Sequence, residues 1–503
     1  MIINGKEVKE KLLQGINLVA NTVKPTLGPQ AKTVILQGNP PIIINDGVTI
    51  TKYVSHDDPY VQMGVQLVQN LASKAQDSSG DGTTTACILA QAFCNNLFNN
   101  PPKESVHRFN ERMEKLKDYT IRWLDKISLE IGDDNIKNVA TIASNNDENL
   151  GELIQSALDK VGRDGVVTVE ESNNYQTQLI LREGMEIQEG YLSHLMCNTE
   201  NGRVELNNPV VFMSNMGLRQ FKDIMPLLEY SASQSRPLLI MCKGMDGSAL
   251  NNLLMNVMNK TVECAVILAP NFGDAQLDEL TDIKTLIGGE VFVEESKDDP
   301  KVFTTTDLGN CSKVVITKET TTIIGGEGDT KERINGLKEL AKTLKGHELS
   351  RVKSRISRLN GGVATIQIGA SSTMEMRETK ERLDDALNAT KAALESGIVL
   401  GGGMTLFDIA NNGDMPKWFS DALLKPLEVL KQNGGFKELD ADELTNLRKN
   451  NKNMGYNALT NMYSDLHQAG VYDPVKVTKN SFLAAMSIAQ LFYSTEVAVL
   501  VEE

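Results

Sequence analysis

The chain is poor in the features that staple, anchor or target a protein. Its six cysteines, Cys87, Cys94, Cys197, Cys242, Cys264 and Cys311, include no C-x-x-C pair. That speaks against both a zinc site and a disulfide framework and leaves reduced, packed thiols as the expectation. No apolar run reaches membrane-spanning length. The first residues, Met1-Ile2-Ile3-Asn4-Gly5-Lys6, run straight into a helical pattern with no basic segment leading an apolar one, so a soluble cytoplasmic protein without a membrane partner is expected. Positive charge is in deficit: 51 Lys and Arg against 66 Asp and Glu give a net charge of −15, which argues against a general nucleic-acid binder. Two phosphate-binding signatures are missing as well. No G-x-x-x-x-G-K-[ST] occurs and no G-x-G-x-x-G opens a helix after a strand, which excludes a P-loop and a Rossmann dinucleotide site.

What is present is an ordinary globular composition, 23% charged and 41% hydrophobic over 503 residues, long enough for roughly three or four domains. The stretch Gly80-Asp81-Gly82-Thr83-Thr84-Thr85 stands out because it offers a core almost nothing. Ahead of it Val61, Val65, Val68, Leu71 and Ala75 recur at helical spacing, and behind it so do Ala86, Leu89, Phe93 and Leu97. Asp81, Gly82 and Thr83 are thereby placed at a helix N-terminus, where exposed amides and the dipole favour an anion. The loop reads as a phosphate and Mg²⁺ cradle; the alternative is a capped turn between two helices.

Taken in order, Val8, Leu12, Ile16, Val19 and Val23 form the stripe of a first helix, which Lys24-Pro25-Thr26-Leu27-Gly28-Pro29 ends in a fixed loop. Strands follow at 33–36 and 42–44 around a Gly38-Asn39-Pro40-Pro41 turn, closed by Asn45-Asp46-Gly47. Asp46 is either a turn residue or a carboxylate presented at a loop tip. Residues 135–161 are helical in pattern, and Asp164-Gly165 turns into a strand over 166–169. Between Gly184 and Gly362, short strands at 210–213, 237–241, 266–269 and 314–317 alternate with amphipathic helices, the grammar of a separate α/β domain. A strand at 363–368 precedes a long helix over 374–395 that carries Asp384 and Asp385. Gly401-Gly402-Gly403 comes next, then Leu423, Leu427 and Leu430 in helical step, a polar surface excursion over 438–453, and a helix through 482–491. The β-like tail at 497–501 requires a partner strand, with a neighbouring subunit as the candidate donor.

The ordered set Thr26-Leu27-Gly28-Pro29, Asn45-Asp46-Gly47, residues 80–85, Asp384-Asp385-Ala386-Leu387, Gly401-Gly402-Gly403 and Gly455-Tyr456-Asn457-Ala458 resembles the group I chaperonins, the GroEL family. Val161-Gly162-Arg163-Asp164-Gly165-Val166, Gly190-Tyr191-Leu192-Ser193, Ala269-Pro270-Asn271-Phe272-Gly273-Asp274 and Asp473-Pro474-Val475-Lys476-Val477-Thr478 extend the resemblance over nearly the whole chain. It implies a multidomain α+β fold with a mostly helical equatorial ATPase domain (1–125 and 397–503), an α/β hinge domain (126–183 and 363–396) and an α/β apical domain (184–362). It further implies an ATP-driven folding machine built as a homo-oligomeric, seven-membered ring, single or double. Its cofactors would be ATP and Mg²⁺, with K⁺ as a further cation. Its partners would be unfolded polypeptides and a co-chaperonin lid.

Carried over residue by residue, the resemblance sets Thr26, Leu27, Gly28 and Pro29 against the nucleotide phosphates and makes Gly80, Asp81, Gly82, Thr83, Thr84 and Thr85 the main cradle. Asp81 then holds Mg²⁺, while Asp46 and Asp385 are the catalytic carboxylates that organise the attacking water. Read without the family, Asp385 is a solvated helix residue. Ile142, Gly402, Tyr456, Asn457, Ala458 and Asp473 would surround base and ribose. Gly184 and Gly362 match an upper hinge and Gly397 a lower one. Tyr191, Leu195, Met196, Met225, Leu228, Leu250, Leu254 and Met255 match client-gripping positions. The helix over 248–260 supports the last set, because Leu250, Leu253, Leu254, Val257 and Met258 already form a buried stripe and leave Met255 outside it.

Glu189 stands where the family has a basic residue and Thr373 where it has the acidic partner, so an inter-subunit ion pair is expected to be absent, which leaves the coupling between subunits open. Terminal Gly-Gly-Met repeats are missing and the region 403–456 is short, which makes a single ring more secure than a double one. Both departures point to a divergent bacterial or bacteriophage-encoded member, working in the bacterial cytoplasm or in phage-infected cells. The competing readings are a non-hydrolysing ring or scaffold of the same fold and a small-molecule kinase using the same cradle.

Overall fold

A computed structural model describes residues 2–37, 42–163, 165–172, 176–199, 201–296, 299–326, 328–370, 372–413, 415–435 and 441–500. The turn expected at 38–41, Asp164, the start of the polar excursion at 438–440 and the end of the tail at 501–503 lie outside these residues. The chain divides into two compact units. One comprises Met1–Gln155, Glu171–Gln176 and Ile368–Glu503, the other Ser156–Glu170 and Thr177–Gln367. The expected multidomain α+β fold is the one observed.

The first unit is mainly helical. The stripes read from the sequence are its core: Val8, Ile16, Val19 and Val23 of the helix Gly5–Val23 are buried, as are Val61, Val65 and Val68 of Pro59–Ser79 and Ala86, Leu89 and Phe93 of Thr83–Asn99. These helices pack on one another and on Val475–Ser494, whose Phe482 and Phe492 enter the same cluster. Asp58 starts Pro59–Ser79 by accepting from Tyr60 N at 2.9 Å and binding Lys11 Nζ at 2.7 Å, a capping arrangement that satisfies amides the helix cannot.

Four local expectations change in this unit. The tail does find a partner strand, but it is this chain's own N-terminus: Ile2 pairs with Val499 and Asn4 with Val497, antiparallel. The pattern over 135–161 is two helices, Asp133–Ala143 and Glu148–Val161, parted by a turn in which Asn145 and Asn146 take positive φ. Asn45-Asp46-Gly47 leads into a further helix, Gly47–Tyr53, capped by Asp46. The polar stretch contains the helix Ala441–Asn450, whose Leu444 is buried beside Phe407, Leu427 and Tyr456.

The second unit is built on a mixed sheet. Parallel strands Cys264–Leu268, Leu238–Cys242 and Val210–Ser214 are followed by Gly309–Ile316, antiparallel to its neighbour, then Thr321–Gly326 and Gly184–Ile187. The three parallel strands are almost wholly buried, as continuous apolar runs covered on both faces must be. A smaller sheet joins Val363–Ile368 to Gln178–Arg182 and Val166–Glu171. Ions complete the core here. Arg355 is fully buried and grips Asp282 with Nε at 2.6 Å and Nη2 at 2.9 Å, Arg333 reaches the same carboxylate at 2.7 Å, and Arg358 holds Glu279 at 2.8 Å. Removing one member of such a group strands the others out of water. Asp282→Leu is therefore expected to destabilise the second unit by about 3–5 kcal/mol, read as a lower urea midpoint for its transition. Unfolding indistinguishable from wild type would show these ion pairs to be dispensable.

Candidate functional site

The first unit contains a cavity of about 600 Å³, within the range that holds small organic ligands. Helix ends supply most of its wall. The helix Gly5–Val23 runs into a 3₁₀ turn, Lys24–Thr26, and Thr26 Oγ1 donates to Val23 O at 2.8 Å while lying 3.4 Å from Thr84 Oγ1. Thr26, Leu27, Gly28 and Pro29 thus line the cavity next to the Thr83–Asn99 helix start, where Gly82, Thr83, Thr84 and Thr85 line it too. Gly80 and Gly82 make the bend between the two helices, with φ of +67° and +86°. A Cβ on Gly82 would lie 2.3 Å from Ser481 Oγ, and one on Gly80 2.3 Å from Asn388 Cβ; no other residue fits either place. Gly80 itself stays behind the lining, as the C-cap of Pro59–Ser79.

Three carboxylates from distant parts of the chain meet in this space. Asp46 accepts from Val48 N at 3.1 Å and Thr49 N at 2.7 Å, so it is both the turn residue and the presented carboxylate that the sequence left as alternatives. Asp81 accepts from Gly82 N, yet burial and the Asp46 charge still raise its pKa. Asp385, on the helix Thr373–Ser396, is held well above the usual carboxylate range by burial first, then by the charges of Asp81 and Asp46, against a hydrogen bond from Gln76. It is a buried group facing two acids, not a solvated helix residue. Asp473, opposite Val399 in the pair Ile398–Leu400 with Tyr472–Pro474, is pushed up to about 7 by burial and by Asp81.

Ile142, Gly402, Tyr456, Asn457 and Ala458 line the same cavity. The last three sit on and just after Met454–Asn457, whose hairpin partner is Met462–Asp465. Glu381 and Arg382 are among the lining residues that escaped the sequence reading. Glu381 precedes Asp385 by one helical turn and so shares its face; burial and Asp46 push its carboxyl up to about 7. That i, i+4 spacing was the available signal. Arg382 faces Asp147 at 3.7 Å and Glu378 at 3.5 Å.

This chemistry fits a magnesium nucleotide. Thr83 Oγ1 is buried in the cavity wall without a hydrogen-bond partner, at a helix N-terminus that favours phosphate oxygens. Among the described residues no three His, Cys, Asp or Glu side chains are grouped to hold a metal by themselves. Mg²⁺ takes few protein ligands and completes its shell with phosphate and water, so one or two carboxylates suffice.

In the second unit, Leu195, Met225 and Met255 are exposed, Met255 to 61%. Tyr191, Leu250 and Leu254 are half-buried against the core. Met196 and Leu228, at 2% and 6% exposure, are core residues and present no surface. The stripe expected on the helix Gly247–Met258 is narrower than its pattern suggests: Leu253 is buried, but Met258 is 59% exposed and joins Met255 outside. All six cysteines are free. Among the described residues no helix is long and apolar enough to cross a membrane.

Two solved structures of the chaperonin gp146 from the bacteriophage EL 2 (Pseudomonas aeruginosa), both obtained in the presence of ATP-BeFx, resemble this fold. Crystal form II matches with a TM-score of 0.72 at 20% identity over 100% of both chains, and crystal form I with 0.64 at 19% over 100% of this chain and 99% of that one. At such identity the likeness concerns the fold. The sequence model of the TCP-1/cpn60 chaperonins matches residues 19–499, and with that span this chain belongs to the TCP-1/cpn60 chaperonin family.

Proposed function

We propose that the protein is an ATP-hydrolysing chaperonin subunit that assembles into a homo-oligomeric ring, seven-membered by resemblance, and binds non-native polypeptides. Members of the family are ATPases in general, form rings and bind unfolded clients. One observation carries the reading for this chain: Asp46, Asp81 and Asp385 converge on one cavity that is also lined by the loops at 26–29 and 82–85. The amides and hydroxyls of Thr83, Thr84 and Thr85, with Thr26 beside them, would bind the phosphates. Asp81 would hold Mg²⁺, which when bound supplies the positive charge that phosphoryl transfer needs. Asp46 is fixed by its helix cap. Asp385 would orient the attacking water at its carboxyl oxygens, and its helix belongs to the hinge segment of the three-domain division proposed from the sequence.

Support for hinging comes from Gly362 and Gly397, which take φ of +62° and +79° just after the helices Gly346–Gly361 and Thr373–Ser396. Gly184 is constrained differently, since a Cβ there would lie 2.4 Å from Ile323 O. Client binding falls to the exposed Leu195, Met225, Met255 and Met258, with Tyr191, Leu250 and Leu254 at their margin; unbranched, polarizable side chains suit partners of no fixed shape. A co-chaperonin lid would use the same apolar surface.

Purified protein should release phosphate from ATP in the presence of Mg²⁺ and suppress aggregation of a denatured client. Asp385→Ala is expected to keep nucleotide binding and lose about a hundredfold or more of turnover. Binding without turnover in the wild type would instead favour the non-hydrolysing ring.

The crowded carboxyls also set a pH dependence. In the folded protein Glu381 and Asp473 keep their protons up to about pH 7, whereas the unfolded chain gives them up near pH 4. Their stabilising contribution is therefore complete at low pH and is lost as pH rises to about 7. The melting temperature of nucleotide-free protein should fall between about pH 4 and about pH 7 and level off above that, with a shallower fall in Asp473→Asn. Equal slopes for the two proteins would contradict the assignment.

A further inference from the structure

The last turn of the helix Lys425–Asn433 touches two parts of the chain that line the cavity, the loop at 24–28 and the hairpin carrying Tyr456. Toward the loop, Asn433 Nδ2 donates to Lys24 O at 3.0 Å and Leu27 O at 2.9 Å. Leu430 packs so closely on the same loop that a Cβ on Gly28 would lie 2.2 Å from its Cδ2. Toward the hairpin, Lys431 is 6% exposed. Its Nζ donates to Tyr463 Oη at 3.0 Å and stands over two rings, 5.7 Å from the centroid of Tyr456 and 5.1 Å from that of Tyr463.

Those tyrosines are directly opposed across the hairpin strands Met454–Asn457 and Met462–Asp465, with rings edge to face at 6.4 Å. Tyr456 begins the Tyr456-Asn457-Ala458 wall of the cavity. Its hydroxyl donates to Asn461 Oδ1 at 2.7 Å, and Asn457 Oδ1 accepts from Leu459 N at 3.0 Å, so the ring, the wall and the hairpin turn move as one piece. A cation buried among apolar neighbours is unfavourable unless it meets acceptors, and ring faces attract a cation most strongly when water is excluded. A residue that only filled space between Leu427 and Leu430 would not carry a charge.

We propose that Lys431 is the positioning residue of the base end: it fixes the Tyr456-Asn457-Ala458 wall and, through the same helical turn, the distance from that wall to the Thr26–Pro29 phosphate loop. The role rests on the nucleotide-binding reading and concerns recognition, not the chemical step. Lys431→Met keeps the volume and removes the charge. Lys431→Arg restores the charge.

Full-length wild type and both variants are compared by calorimetric titration with Mg-ATP and with magnesium tripolyphosphate, which has the phosphates and no base. For Lys431→Met the dissociation constant for ATP is expected to rise about tenfold, while that for tripolyphosphate stays within about twofold. In steady-state turnover KM rises and kcat holds, and Lys431→Arg recovers most of the loss. Wild-type ATP affinity in Lys431→Met overturns the proposal, and so does an equal loss for both probes, which would mark a merely structural lysine. A wild type that binds neither probe overturns the nucleotide reading itself and this role with it.

Discussion

Like charges held together against their repulsion are the constraint on which the first unit turns. Asp46, Asp81 and Asp385 come from segments far apart in sequence, yet each raises or feels the others' potential, and Glu381 and Asp473 add to the crowd. Burial first and this repulsion second raise the pKa of Asp81, Asp385, Glu381 and Asp473. That arrangement is unfavourable relative to separated acids in water, and anything bringing positive charge into the cavity relieves it. Binding energy is thus drawn from a folded state that is tense before the ligand arrives.

Much of the cavity wall is fixed at helix termini, where backbone geometry is sharply defined, while Glu381 and Asp385 stand midway along Thr373–Ser396 and Asp473 on the strand Tyr472–Pro474. Asp46 caps one helix, Gly80 ends another, Thr83 opens a third, and the Lys24–Thr26 turn closes a fourth. What fixes these ends relative to one another lies deeper. Gln91 donates to Asn17 at 2.7 Å and Asn95 to the same oxygen at 2.9 Å, an amide ladder between Gly5–Val23 and Thr83–Asn99 in an otherwise apolar interface. Apolar packing tolerates sliding by part of a turn, but paired amides do not. The cavity-lining loops at 26–29 and 82–85 therefore inherit a common register from residues more than a helical turn away.

The readable part of the sequence was the part governed by period. The stripes of Gly5–Val23, Pro59–Ser79 and Thr83–Asn99 are long and regular, and they give the core directly. Short or mixed elements were hidden for physical reasons. Gly47–Tyr53 carries Val48, Thr49, Ile50 and Thr51, β-branched residues with weak helix preference, and only its Asp46 cap betrays it. The strand Ile2–Asn4 has three residues and no period of its own, so the tail was seen to need a partner before the partner could be seen. In Ala441–Asn450 a single buried Leu444 is too little signal among charges. Met258 failed differently: in the helix Gly247–Met258, Ala249, Leu250, Leu253, Leu254, Val257 and Met258 form a broad apolar arc opposite Ser248, Asn251, Asn252 and Asn256, and period alone does not say where the edge of a broad arc meets solvent. Glu381 was legible in principle, since a carboxyl one turn before Asp385 must look the same way.

The exposed methionines of that helix contrast with the polar cavity of the first unit. The first unit spends its sequence on placing a few polar atoms, whereas the second leaves Met225, Met255 and Met258 outside a core that is already closed. The chain passes between the units at residues 155–156, 170–171, 176–177 and 367–368. The last of these passages is followed within a few residues by Thr373–Ser396, the helix that carries Glu381 and Asp385. This helix carries into the cavity the carboxyl whose pKa is raised by burial first and then by Asp81 and Asp46. Because Glu381 and Asp385 share one face of it, a turn of this helix would shift the charge and the geometry of the cavity together.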